Sequence, residues 1–112
     1  MPALHIRMTP TNANSTGQTT APATAGIVVI GRNEGERLMA CLRGLLQQQR
    51  PLLYVDSGST DGSPDNAQSL GVPVWQLDAA RPFSAARARN EGARVLLQKH
   101  PALAFVQFLD GD

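Results

Sequence analysis

With 112 residues, 42% of them hydrophobic, the chain has material for one small domain and not for two. A formal net charge of +1 leaves no basic excess of the kind that nucleic-acid binders carry, so nucleic acid is not an expected partner. The single cysteine, Cys41, rules out an internal disulfide, and no apolar run approaches the roughly 18 residues of a membrane span or forms a secretory signal, so the expected location is the cytoplasm.

Residues 1–25 are rich in Thr, Ala, Asn, Ser, Pro and Gly and poor in large apolar side chains. Such a stretch cannot bury enough surface to offset its ordering entropy, and a disordered leader is expected there. From Gly26 the pattern changes. Ile27-Val28-Val29-Ile30 is a β-branched run suited to a strand covered on both faces. Asn33 stands three residues before Glu36, an N-cap and N3 pair resembling a capping box. Leu38, Cys41, Leu42, Leu45 and Leu46 then recur at i, i+3, i+4, i+7 and i+8, one apolar helix face that Pro51 closes. Cys41 on that stripe reads as a core residue.

A second strand is expected from Leu52 to Val55, ended by Asp56. Ser63-Pro64 reads as the N-cap and first residue of a short helix, stopped by Gly71. Val72 to Leu77 is a third strand, and Pro73 places it at an edge because proline cannot donate to a central ladder. Ser84 can cap a third helix with Ala85, Ala88, Gly92, Val95 and Leu96 inward and His100-Pro101 at its end. Leu103 to Leu109, apolar except for Gln107, makes the last strand. Strands that alternate with helices predict an α/β fold with a mostly parallel, Rossmann-like sheet and right-handed crossovers.

Three polar clusters follow directly on three of these strands: Gly31 to Glu34, Asp56 to Gly62, and Asp110-Gly111-Asp112. In a parallel sheet such clusters share one edge, and ligands of open α/β sheets bind outside that edge near the reversal of strand order. Asp56, at the end of an apolar strand, can accept a hydrogen bond from a base N–H or a ribose hydroxyl. Ser57, Gly58, Ser59 and Thr60 are small enough for close backbone approach. Asp110 and Asp112 can offer hard oxygen ligands to Mg²⁺ or Mn²⁺, shared with substrate phosphates and water. Arg89, early in the third helix, can donate to anionic or carbonyl oxygens.

Each cluster also has a plainer reading. Asp-Gly-Asp is a common turn sequence, and Asp61 can simply cap the segment after it. The spacing of an EF-hand loop and the G-x-G-x-x-G fingerprint are both absent. Arg87 and Arg94 read as solvated, Tyr54 and Trp75 as packing residues, and His5 and His100 have no catalytic partner in view.

Taken together, the clusters resemble the family 2 glycosyltransferases, whose GT-A fold joins a nucleotide-binding α/β domain to an acceptor-binding half. The similarity runs from Gly26 to Asp112, as the first half of that fold, ending at its D-x-D motif. Ile27 to Glu34 is similar to the family's opening strand and Asn-Glu motif. Asp56 to Ser63 is close to its Asp-Asp-Gly-Ser-Thr-Asp-Gly-Thr loop, Ala88 to Gly92 to its Ala-Arg-Asn-x-Gly element, and Phe108 to Asp112 to the D-x-D strand end. The chain departs from the pattern at Gly31-Arg32, where the family usually has a proline and an aromatic, and at Ser57, where it has a second aspartate.

The resemblance implies a partial nucleotide-sugar-binding domain over residues 26–112. It implies nucleotide contacts from Asn33, Glu34, Asp56, Arg89 and Asp110, with Asp56 on the base and a Mg²⁺ or Mn²⁺ ion held by Asp110 and Asp112. The donor is then a nucleoside-diphosphate sugar, UDP-linked, and the acceptor a glycan, lipid or protein. The reaction is metal-dependent and inverting, with the catalytic base beyond Asp112 and this portion expected to be inactive alone. Membrane association is expected only through regions outside the chain. Two other readings stay open: a non-catalytic nucleotide-binding module or subunit, and a nucleotidyltransferase, which usually carries a Gly-rich, basic loop after its first strand.

Overall fold

The computed structural model describes residues 25–111. The expected leader, apart from Ala25, and Asp112 lie outside the described residues. Seven elements follow in strict alternation: β1 (Ala25–Gly31), α1 (Glu36–Leu46), β2 (Leu52–Asp56), α2 (Ser63–Ser69), β3 (Val74–Gln76), α3 (Ala85–Lys99) and β4 (Phe105–Asp110). The four strands form one parallel sheet in the order β3-β2-β1-β4. This is the mostly parallel, Rossmann-like α/β sheet with flanking helices that the alternation predicts.

Side chains alternate across a strand, so β1 and β2 feed two cores at once. Ile27, Val29, Leu52 and Tyr54 pack with Leu38, Met39 and Leu42 of α1 and Ala67 of α2. Val28, Ile30, Leu53 and Val55 pack on the other face with Ala88, Ala93, Val95 and Leu96 of α3. The chain steps outward from β1 to β3 and then returns past β1 to β4. A crossover of constant hand must put the returning helix on the opposite face, and α3 lies there. Its close approach depends on Gly92, where a Cβ would stand 2.7 Å from Val28 Cγ1 and 2.8 Å from Val55 Cγ2.

Several local expectations give way to longer-range contacts. Helix α1 starts at Glu36 with Gly35 as N-cap and without a side-chain cap, so Asn33 and Glu36 form no capping box. The Asn33 side chain is instead engaged 27 residues away by the Thr60 N–H. Helix α2 is capped by Gly62 in the left-handed region, leaving Ser63 as its first residue. β3 is shorter than expected, and it is an edge strand, as Pro73 requires. β4 starts two residues late because Leu103 N–H is taken by the His100 carbonyl in a turn. Ser84 caps α3 as expected, accepting from Arg87 N–H at 3.0 Å. Ala85, read as inward, is exposed. Cys41 is half-buried at the border of the α1 core.

Candidate functional site

The strand order reverses between β1 and β4, whose C-terminal ends lie side by side with Ile30 opposite Asp110. A cleft of about 330 Å³ opens at that point. Gly31 forms part of it, Arg32 and Glu34 come from the loop after β1, and Ser57 comes from the loop after β2. Phe83, Ser84 and Ala85 at the start of α3 close one side, and Asp110 the other. Position alone explains the convergence, since parallel strands bring all their C-terminal loops to one edge.

The predicted residues divide into two groups. Glu34 and Asp110 line the cleft. Glu34 pairs with Arg37 at 3.3 Å, a pair exposed on the arginine side. Asp110 is exposed at the strand end. Asn33, Asp56 and Arg89 lie outside the cleft lining. Asn33 is a strut between two loops: its Oδ1 accepts from Thr60 N–H at 2.7 Å, and its own N–H donates to Ser59 Oγ at 2.8 Å. It adopts φ 53, a left-handed conformation that asparagine tolerates better than most residues. Arg89 is half-buried on α3. Asp112 lies outside the described residues.

Asp56 is 1% exposed and bonded three ways. Its Oδ1 accepts from the Tyr54 hydroxyl at 2.5 Å and the Ser59 hydroxyl at 2.6 Å, while Oδ2 accepts from Ser59 N–H at 2.8 Å. One further acceptor direction remains on Oδ2, because a carboxylate oxygen can take two bonds. Burial, reinforced by the carboxylate beside it, holds the Tyr54 phenol far above its ordinary pKa. The phenol is therefore a permanent donor to Asp56.

Asp61 closes the rest of the loop. Its Oδ2 accepts from Gly35 N–H at 3.1 Å, and Oδ1 accepts from Ser63 N–H at 3.0 Å and the Ser63 hydroxyl at 2.5 Å. The Ser63 hydroxyl bond, with these backbone donors, holds the Asp61 carboxyl below its ordinary pKa. A lowered carboxyl pKa favours folding above the unfolded-state value and loses that contribution as pH falls. The stability advantage of the native chain over Asp61→Asn is expected to be complete above roughly pH 4 and to vanish as the solution is acidified further. Urea denaturation of both proteins between about pH 6 and pH 2 reads this directly.

Sequence reasoning overlooked Arg32, Phe83 and the support behind Phe83. The Arg32 guanidinium carbon lies 5.6 Å from the Phe83 ring centroid. Arg87, expected to be solvated, is only 12% exposed and pairs with Glu91 at 2.9 Å. Trp75, read as a packing residue, is 37% exposed and donates from its indole N–H to the same Glu91. The i,i+4 spacing of Arg87 and Glu91 was the one signal in the sequence that could have shown the pair.

The profile of the family described as Glycosyl transferase family 2 matches residues 26–112. The chain belongs to glycosyl transferase family 2. A TPR repeat-containing protein of Synechococcus elongatus is 37% identical over 67 residues, covering 60% of this chain and 17% of that protein. This family 2 chain thus spans less than a fifth of that curated relative's length. No solved structure matches it at a significant level. Family membership makes it a glycosyltransferase-family domain, and its parallel sheet with three helices is consistent with the N-terminal half of a GT-A fold. Among the described residues, no helix is long and apolar enough to cross a membrane.

Proposed function

We propose that this family 2 domain binds the donor, a nucleoside-diphosphate sugar, in the cleft at the reversal of strand order, and that the donor is UDP-linked. The observation that carries the reading is the meeting of Glu34, Ser57, Asp110 and the first residues of α3 around one cleft. The N-terminal end of a helix and the Arg32 cation favour a ligand with negative charge. The two carboxylates suit a divalent cation that accompanies such a ligand.

Among the described residues, no group of three His, Cys, Asp or Glu side chains is placed to hold a metal. The cleft carboxylates Glu34 and Asp110 are fewer than that, and Mg²⁺ or Mn²⁺ commonly take one or two carboxylates and complete their shell with phosphate oxygens and water. Asp110, with Asp112 beyond it in the chain, would hold the ion. When bound, it neutralises negative charge that develops on the departing nucleoside diphosphate. Asp56 keeps its loop in place and offers its remaining Oδ2 direction to a base N–H. Asn33 locks the loop after β1 to the loop after β2, and Arg89 supports the base or phosphates. The whole enzyme would pass the sugar to a glycan, lipid or protein acceptor with inversion.

Titration calorimetry of the chain with UDP, UMP and uridine in the presence of Mn²⁺ tests this. Weak binding that strengthens in the order uridine, UMP, UDP and collapses with EDTA is expected. Binding indifferent to the diphosphate and to Mn²⁺ would count against the assigned cleft.

A further inference from the structure

Glu91 joins three parts of the molecule. Its Oε1 accepts from the Trp75 indole N–H at 3.1 Å, on edge strand β3. Its Oε2 accepts from Arg87 Nε at 2.9 Å and from Arg81 Nη2 at 3.0 Å. Arg87, oriented in this way, donates from Nη1 to the carbonyl oxygens of Arg81 at 3.0 Å and Pro82 at 3.2 Å. One guanidinium therefore grips the two residues that lead into Phe83.

The ring itself is held on more than one side. The Arg87 guanidinium carbon lies 5.9 Å from its centroid, within the range of a cation–π contact. Gly58, with φ +81, is packed so closely that a Cβ there would come within 2.6 Å of Phe83 Cε2. Arg87 and Glu91 side chains are 12% and 16% exposed, and Arg87 Nη2 is buried without a hydrogen-bond partner. An exposed ion pair contributes little and needs no such enclosure. Leaving one buried donor unpaired is understandable where the other donors of the same group hold a loop in position.

We propose that Glu91 is a positioning residue which, through Arg87, fixes Phe83 as the aromatic wall of the cleft on which the nucleobase stacks. This rests on the nucleotide-donor reading above. Glu34, Asp110 and Phe83 line the same cleft, the carboxylates suiting the metal and Phe83 offering an aromatic ring. The exposed Arg32 side chain, whose guanidinium carbon lies 5.6 Å from the ring centroid, gives way to a base that stacks there. Glu91 touches no ligand in this arrangement; it acts by holding Arg87.

Hydrogen exchange of the whole chain, read by mass spectrometry, is compared for the native protein, Glu91→Ala, Glu91→Gln and Arg87→Lys, alongside Mn²⁺-dependent binding of UDP and of inorganic pyrophosphate. Glu91→Ala should speed exchange of the loop amides between β3 and α3 by roughly tenfold or more, leaving β1 and β2 unchanged. It should weaken UDP binding by about tenfold, because a displaced contact surface loses its alignment, and leave pyrophosphate binding as it was. Glu91→Gln keeps one acceptor oxygen, enough for Trp75 or for Arg87 but not for both, and should restore only part of the protection, whereas Arg87→Lys, which loses the two-carbonyl grip, should behave like Glu91→Ala. Unchanged loop exchange in Glu91→Ala, or equal weakening of UDP and pyrophosphate, would overturn the proposal. Should the native chain bind neither ligand, the donor-site reading and the stacking role fall together, and the exchange data still decide separately whether Glu91 holds the loop.

Discussion

Replacing Asp56 with alanine should destabilise the domain by about 3 kcal/mol, the cost of stripping partners from buried donors. The Tyr54 hydroxyl, on a side chain with no exposed surface, loses its acceptor, and so do the Ser59 hydroxyl and N–H. Tyr54→Phe removes one donor and leaves Asp56 bonded to Ser59, so about 1 kcal/mol is expected. The double variant should cost less than the sum of the two, because the phenol that Asp56→Ala strands is no longer present. Urea denaturation of the three variants measures the cycle. Additive losses would mean that the 2.5 Å contact between the two side chains carries no coupling. The same reasoning limits what Asp56→Ala can say about nucleotide binding, since a loosened loop also lowers affinity. Asp56→Asn keeps the shape but turns one acceptor oxygen into an amide donor, so it too should lose stability, though less than alanine.

Asp110 should behave in the opposite manner. It is exposed at the end of β4, so Asp110→Asn should leave the free energy of unfolding within about 0.5 kcal/mol of the native chain's, as surface substitutions usually do. Mn²⁺-dependent UDP binding should fall at least tenfold, about 1.4 kcal/mol, because asparagine supplies a neutral oxygen where a hard cation prefers a carboxylate. Calorimetry with and without Mn²⁺ separates the two contributions. A loss of equal size with and without the metal would place Asp110 on the nucleotide alone. An unchanged affinity would move the metal site away from β4. Asp56 and Asp110 thus form a matched pair of tests, one carboxylate expected to act through the fold and the other through the ligand.

Much of this was legible before any coordinates. The β-branched run at Ile27 to Ile30 and the i, i+3, i+4 stripe of α1 determined where strand and helix lie, because burial of one face imposes its period on the residues. Alternation of such segments determined a parallel sheet, and with it the gathering of the Glu34, Ser57 and Asp110 loops at one edge. Ser84 announced its helix because the bond it makes is only three residues long. Pro73 marked an edge strand because a missing N–H is a property of the residue alone.

Tertiary structure decided everything that depends on partners distant in the chain. Asn33 looked like a helix cap, yet Thr60 and Ser59 engage it from 27 and 26 residues away, and those bonds set its left-handed backbone. Asp56 read as a rigidly held acceptor at a strand end, and what holds it, the Tyr54 hydroxyl and both donors of Ser59, appears only where β2 meets its loop. Arg87 looked solvated until α3 packed beside β3 and set Glu91 between Trp75 and two arginines. Local periodicity records which face of a segment is buried and nothing of what it is buried against. The order β3-β2-β1-β4, and so the position of the cleft between β1 and β4, follows from packing between segments, which no single stretch of sequence contains.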